Sequence, residues 1–492
     1  MFFYTFFILG QVSTYAQSDK SDIQNIKKEI QKNWKYALEL SITYSDSLAI
    51  ICNRIDSLSK IHPKQFADYI IASNAIAVNN HSLPLKTLDY YLTRGETALA
   101  KYNAFLNNDM ILHSKIMLTY QRCRFIDLQG NLEKALKCYE KVWYELPNEH
   151  SDKILYDYRN ALPLSIALVY NDIGNFKRAL DWLKVAEKYL NKSNPIYPGY
   201  LHNLKGQVNL SLAKVKEAEN NFTKSIDCYL QSSIGKQSNH LITSYVDLSN
   251  TYLKQSNLEK AISILEEANL QLLETHFEFP LQYQFAKTYL QKGNLPKVLK
   301  HGRAALHFAN KEKDGLYFLK NHALNILGEA LAKDKKWSLA LDTIQLALQH
   351  VSSNFTQKDW RENPELHTSN SKLDLLKTLV IKAEILAAYH QKSSQESLQC
   401  LTWSLQTYLH SIELIKILRA EYGDDEVKEY LSAQSFPIFE EALSVATQLY
   451  RLTNKAKYLD HAFSICEVSK ACLLYTSPSP RDATLSRMPS SA

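Results

Sequence analysis

The residues of this chain best equipped for chemistry are its seven cysteines and fifteen histidines, and their spacing argues against a local site. Cys52, Cys123, Cys138, Cys228, Cys400, Cys466 and Cys472 are scattered, with no C-x-x-C pair and no Cys/His spacing of the kind that holds zinc. Most read as small core residues. Cys123 and Cys138 fall on the two helices expected for one hairpin, so a disulfide is open to them in an oxidising compartment. Phosphate cradles need closely spaced glycines, and neither G-x-G nor a P-loop occurs. Zincin and EF-hand spacings are missing as well. The expectation is a chain with no catalytic residues, no metal ligands and no cofactor.

Composition points to scaffold instead. At 492 residues the chain exceeds what one compact core can serve, so it needs several domains or an elongated repeat. Only 12 Gly and 13 Pro interrupt long stretches of Leu, Lys, Ala, Glu and Gln, which makes helix the default. The 57 Lys+Arg against 51 Asp+Glu give a formal charge of +6, spread along the chain and not gathered into runs. Nucleic acid is therefore not expected as a partner, and the 30 Tyr fall mostly at helical spacing as packing residues.

A helix-turn-helix unit recurs along this background. Tyr170 to Ala186 reads Y-N-D-I-G-N-F-K-R-A-L-D-W-L-K-V-A: Tyr170 closes one helix, Gly174 and Asn175 turn the chain, and Ala179, Leu183 and Ala186 line one face of the next. The same phase appears at Gly130, Ala135, Tyr139 and Pro147, at Gly206, Ala218 and Phe222, and at Leu248, Tyr252, Ala261, Leu265 and Ala268. It returns at Tyr289, Gly293 and Ala305, and at Leu327, Gly328, Trp337, Ala340, Ile344 and Ala347. The alanine-type position falls at 135, 179, 218, 261, 298 and 340, so the copies lie 37 to 44 residues apart. Val298 and Gly302 replace the expected small and bulky residues, which predicts a distorted copy there.

This small-large-small pattern resembles the tetratricopeptide repeat, with a period longer than the usual one of about 34 residues. The resemblance implies an all-α solenoid of stacked helical hairpins, a right-handed superhelix whose first helices line a concave groove that takes an extended peptide or a partner helix. By repeat phase the groove candidates are Tyr120, Arg124, Asn203, Gln207, Asn250, Lys254, Tyr283, Lys287, Asn325 and Glu329. Their amides could bond a peptide backbone and their tyrosines could stack on its side chains. Each also reads as ordinary solvated surface.

Residues 17–109 read as further hairpins with a weaker repeat signal, as at Tyr36, Ala37 and Leu40, and 110–351 as the repeats proper. Residues 352–371, with Pro364, read as a polar linker. Beyond it, 372–471 returns to long helices. There K-A-E-I-L-A-A-Y (Lys382–Tyr389), F-P-I-F-E-E-A-L (Phe436–Leu443), L-Y-R-L-T (Leu449–Thr453) and Y-L-D-H-A-F-S-I-C-E-V-S-K-A (Tyr458–Ala471) resemble the helical region that precedes a CHAT domain. In that family tetratricopeptide repeats lead into a caspase-like peptidase domain with a His/Cys dyad, and Glu467, Ser469, Lys470 and Ala471 form the most recognisable element. No catalytic His or Cys of the dyad carries over onto this chain, and Cys466 reads as a small buried residue.

Both ends read as something other than folded domain. Residues 1–16, a short apolar stretch closing in small residues at Thr14 and Ala16, have the profile of a cleaved secretory signal peptide, although without a basic start. They imply export to the periplasm or beyond, and no other run approaches membrane-spanning length. Residues 472–492 (CLLYTSPSPRDATLSRMPSSA) resemble, on reverse translation, a transposon-based sequencing adapter, with Ala483 to Leu485 as its variable index. The native chain is then expected to be cut after Ala471. Taken together these features predict a protein- or peptide-binding scaffold, the recruiting region of a truncated CHAT-type cysteine peptidase. The alternatives are a periplasmic sensor region and a self-standing adaptor.

Overall fold

One backbone conformation repeats through the chain. Gly130 (φ 75°), Gly174 (91°), Ala213 (58°), Ser256 (58°), Gly293 (78°) and Lys335 (61°) all adopt the left-handed region. Each follows a first helix, and at Gly130, Ala213, Ser256, Gly293 and Lys335 the same pair of backbone bonds ends it. At Ser256, for example, the amide donates to Leu253 O (2.9 Å) and the next amide, Asn257 N, donates back to Tyr252 O (2.9 Å). This double bond caps the orphan carbonyls of the last turn and reverses the chain. Sequence supplies the preferred glycine at only half of these positions.

The computed structural model describes residues 20–474, apart from 44–46, 80–84, 148–152, 191–195, 232, 237, 272–277, 312–316, 353, 370, 391–396 and 422–424. The expected signal peptide, and residues 475–492 of the expected tail, lie outside the described residues. The described chain is all-α, helices following one another as sequential hairpins. In order they are α1 (Lys20–Thr43), α2 (Ser47–Ser59), α3 (Ala67–Ala77), α4 (Leu85–Tyr102), α5 (Asn108–Leu128), α6 (Leu132–Glu145), α7 (Lys153–Ile173) and α8 (Phe176–Lys188). Next come α9 (Ile196–Ser211), α10 (Val215–Leu230), the single turn α11 (Ser233–Lys236), α12 (Asn239–Lys254), α13 (Leu258–Gln271), α14 (Glu278–Lys292) and α15 (Leu295–Lys311). The last six are α16 (Tyr317–Lys333), α17 (Trp337–Val351), α18 (Lys372–His390), α19 (Ser397–Glu421), α20 (Asp425–Thr453) and α21 (Lys457–Leu474).

Packing within a hairpin follows the small-large rule. Ala135, Ala179, Ala218, Ala261, Val298 and Ala340, the six repeat-phase positions, are all fully buried. At Gly206 on α9 a methyl group would sit 2.5 Å from the Phe222 ring on α10, so the missing side chain is what lets that ring in. The copy expected to be distorted exchanges these roles without breaking its helix. Gly302 lies on the second helix, α15, and the large residue facing it is Leu327 of α16, 2.8 Å from the methyl a side chain would add. Cys123 and Cys138 are joined in a disulfide with Cα atoms 5.4 Å apart, tying α5 to α6.

Two compact units divide the chain. The first draws on 1–172, 176–294 and 304–317, the second on 173–175, 295–303 and 318–492. In the second unit the connection between α17 and α18, read from sequence as a polar linker, is held down by buried donors. Gln345 Nε2 donates to the carbonyls of Gln357 (3.1 Å), Asp359 (2.9 Å) and Glu362 (3.3 Å). Lys382, with no exposed surface, donates to Gln345 Oε1 (3.1 Å), Glu362 O (2.7 Å) and Asn363 Oδ1 (2.8 Å). Phe355 and Leu366 of the same connection are buried in the core with Leu375, Leu379 and Leu405.

Candidate functional site

In the first unit the residues placed in a groove by repeat phase are engaged mostly with one another's helices. Asn203, buried on α9, donates to Asp247 Oδ2 on α12 (3.0 Å) and to Ser244 Oγ (3.3 Å). Gln207, one turn on, donates to the same carboxylate oxygen (2.9 Å) and to Asn203 Oδ1 (3.1 Å). The next step of the ladder is Lys287 of α14, whose ammonium donates to Asn250 Oδ1 (3.0 Å), while Lys254 reaches back to Leu210 O (3.3 Å). Upstream, Tyr120 is buried between the rings of Tyr139 and Tyr158, its hydroxyl 3.1 Å from Ser165 Oγ. Arg124 donates to Asn79 Oδ1 and Gln121 Oε1. Tyr283 stacks on Phe279 of its own helix, ring centroids 5.9 Å apart.

Three carboxylates mark where this face lies. Asp172 is exposed and Asp127 and Asp247 are half-buried, yet enclosure by protein pushes their carboxyls up to about 7, 6 and 6 respectively. For Asp172 the neighbouring charge of Asp127 pushes the same way; for Asp247 the Gln207 and Asn203 donors and the Lys287 charge oppose the shift. His240, half-buried against the rings of Tyr200 and Tyr229, is held near 4, first by burial and then by the Arg124 charge.

The second unit carries the remaining two groove candidates and completes them differently. Asn325 on α16 is 1 % exposed; its amide nitrogen donates to Thr378 Oγ1 (2.9 Å) and Asn321 Oδ1 (3.3 Å), and its carbonyl oxygen has no partner. Glu329 follows one turn later, and Glu384 and Glu441 lie on α18 and α20. Glu384 is exposed, yet burial by surrounding protein, then the charges of Glu329 and Glu441, push its carboxyl up to about 7. Tyr408 of α19, 1 % exposed, has a hydroxyl without a hydrogen-bond partner; burial, then Glu384 and Glu441, raise its pKa.

Repeat phase had found Asn325 and Glu329 but not Glu384, Tyr408 or Glu441. The signal was present, since Glu384 and Glu441 stand inside two of the motifs that resemble the CHAT-preceding region. What hid them is the connection after α17, where the repeat register is lost.

Burial draws the Lys382 amine down to about 7, against the charges of Asp359 and Glu362, which would suit a nucleophile. Its three acceptors, Gln345 Oε1, Glu362 O and Asn363 Oδ1, engage all three N–H bonds of the charged form. Among the described residues no group of three or more His, Cys, Asp or Glu could hold a metal ion, and no helix is long and apolar enough to cross a membrane. Cys466 is half-buried on α21, beside an exposed Glu467–Lys470 ion pair at 3.3 Å.

Residues 242–269, most of α12 and α13, match the tetratricopeptide repeat family. No curated protein matches the chain. Among solved structures, it is similar to a tetratricopeptide repeat protein from Parabacteroides merdae at 14 % identity, covering 63 % of this chain and 99 % of that one, TM-score 0.40. A Rap protein complexed with Competence and Sporulation Factor is 13 % identical over 82 % of this chain and 99 % of that one, TM-score 0.48. NprR in complex with its cognate peptide NprX is 16 % identical over 70 % and 99 %, TM-score 0.36. The hairpin order, the buried repeat positions and the match over residues 242–269 give the described chain an all-α, tetratricopeptide-like repeat fold.

Proposed function

We propose that this chain is the recruiting region of an exported protein: it binds an extended peptide or a protein segment along its first helices and performs no catalytic step itself. The observation that carries the reading is the polar ladder along first helices of the first unit, where Asn203 and Gln207 donate to Asp247 and Lys287 donates to Asn250. Such a row of polar side chains on successive helices is the kind of surface on which an extended chain gains contacts from several rungs at once. The disulfide between Cys123 and Cys138 supports an oxidising compartment, in line with the signal-like residues 1–16. The motifs on α18, α20 and α21 support a place immediately before a CHAT peptidase domain.

Selection from a random displayed-peptide library against the full chain tests the binding role. Enrichment of extended sequences is expected, and failure to enrich any sequence overturns it. A panel of fluorogenic peptides checks the absence of catalysis, where reproducible turnover by the purified chain would refute it. Coding sequence continuing into a caspase-like His and Cys is expected downstream; a different domain there removes the peptidase link and leaves the scaffold.

A further inference from the structure

We infer that the loop between α17 and α18 is an intramolecular ligand, and that its seat on α17, α18 and α19 is a second peptide site, open to an extended partner segment bearing a Trp-Arg pair when the loop swings out. The seat is built chiefly from second helices, so the inference goes beyond the first-helix ladder and does not rest on it.

The loop is held as a bound peptide is held. Gln345 and Gln349, one turn apart on α17, donate their side-chain amides to its carbonyls: Gln345 Nε2 to those of Gln357, Asp359 and Glu362, and Gln349 Nε2 to those of Thr356 (3.3 Å) and Gln357 (3.0 Å). Lys382 of α18 donates to Glu362 O (2.7 Å), and His410 Nε2 of α19 lies 2.8 Å from Pro364 O. These bonds read backbone, which every extended chain carries. Side chains supply the selectivity. Phe355 and Leu366 are buried in the core, and between them Trp360 meets the Trp403 ring edge-on, centroids 5.0 Å apart, with the Arg361 guanidinium 5.8 Å from the centre of the same Trp403 ring. On the outer side Thr356, Lys358, Glu362 and Glu365 are exposed.

Two features make this occupant exchangeable. The loop closes on itself at a neck, where Ser352 and Ser369 pair as an antiparallel bridge, Ser352 Oγ is 2.8 Å from Thr368 Oγ1, and Ser369 Oγ donates to Val351 O (3.2 Å). A surface loop whose ends already meet can leave its seat while the helices on either side keep their places. The seat, in turn, demands a replacement. Gln345 and Lys382, 1 % and 0 % exposed, are aimed at loop oxygens, and buried donors without acceptors are costly. A vacated seat therefore selects a segment that presents carbonyls along its length and an aromatic ring to Trp403. A helix does not qualify, because its carbonyls are bonded within its own ladder.

The test uses a fluorescent synthetic peptide with the sequence of residues 354–367, NFTQKDWRENPELH, and anisotropy with the full chain. In the unmodified chain the tethered loop competes at an effective concentration of about a millimolar, so Phe355→Ser/Trp360→Ser/Leu366→Ser, which frees the loop, should bind the peptide at least about tenfold more tightly. Trp360→Ala alone removes one half-buried ring, should tighten binding about threefold, and gives the same comparison if the triple variant does not fold. In either background Gln349→Ala/His410→Ala should weaken the peptide about tenfold. In the unmodified chain, saturating peptide should expose the loop amides to hydrogen exchange and leave α17 and α19 protected, a response that a loop serving only to pack would not give. Absence of binding to both loosened chains, affinity that survives loss of Gln349 and His410, or loop amides that stay protected overturns the site. Self-association of a loosened chain in analytical ultracentrifugation, in place of peptide binding, would give the seat to a second copy's loop and overturns the partner reading as well.

Discussion

Asp247 in the first unit and Glu384 in the second are carboxylates of the same kind, each on a first helix, reaching water yet enclosed by neighbouring repeats. Asp247 receives two amide donors, from Asn203 at 3.0 Å and Gln207 at 2.9 Å, and feels the charge of Lys287. Glu384 instead feels the charges of Glu329 and Glu441, which act with burial to push its carboxyl up. One repeat architecture thus yields two kinds of face. Where adjacent rungs complement one another, polar side chains serve to register the hairpins. Where they repel, a carboxyl is held back from ionising instead.

The largest effect expected in this comparison falls on Lys382. Its ammonium is fully buried and fastens the connection between α17 and α18 through two of its oxygens, Glu362 O and Asn363 Oδ1, with Gln345 Oε1 of α17 as third acceptor. Lys382→Ala removes the donor from all three and leaves a cavity, so it should cost about 3 kcal/mol, measured by urea unfolding, and open the connection to proteolysis. An unchanged midpoint and a protease-resistant connection would show that the lysine is no tether. The pH dependence has a definite sign. With the folded amine near 7 and the unfolded one near 10.5, the unfolded chain binds more protons between those values, so this residue's contribution makes stability rise with pH across that window.

Of middle size is the contrast between the two carboxylates themselves. Asn203→Ala withdraws a buried donor from Asp247 and should cost about 2 kcal/mol of stability. Glu384→Gln removes a repelled carboxyl and should not destabilise the fold. Its folded carboxyl titrates near 7 against an ordinary 4.5, so the folded state holds the extra proton and this residue's contribution to stability declines as pH rises from 4.5 through 7. The glutamine variant escapes that decline: its melting temperature should exceed the parent's at pH 8 and match it near pH 4. Equal stability losses for Asn203→Ala and Glu384→Gln would erase the distinction between the faces.

How far the residues announced this arrangement depends on which interaction fixed them. The hairpins were legible because a helix pair needs a small residue against a large one, so Ala135 through Ala340 repeat where the packing demands it. The groove positions were legible only as positions. Phase places Asn203 and Gln207 on the inner side, but Asp247, which engages both, precedes the recognised Leu248 and Tyr252 and has no consensus chemistry of its own. Gln345 and Lys382 reach into a connection whose composition reads as solvated, and nothing local reveals that the oxygens they bind are its carbonyls and an amide. The pairing of Cys123 with Cys138 was open from helix placement, while the exchange of small and large roles between Gly302 and Leu327 requires knowing which helices meet.

The smallest expected effect concerns the hairpin tips, where the same left-handed geometry is built from different residues. Ser256 is exposed with φ 58°, and no side-chain contact there opposes its replacement by glycine. Left-handed backbone costs an L-residue about 1–2 kcal/mol, and glycine's greater freedom when unfolded returns about 0.5–1 kcal/mol, so Ser256→Gly should stabilise by roughly 0.5 kcal/mol. Gly293 offers the converse. It has φ 78° and nothing within 4 Å of the place a methyl would take, so Gly293→Ala introduces backbone strain without a clash and should destabilise by about as much. Urea midpoints of the two variants should therefore move in opposite directions. Shifts of the same sign would mean that the tips are governed by contacts outside the backbone, and that the period of left-handed residues is not what sets where each hairpin turns.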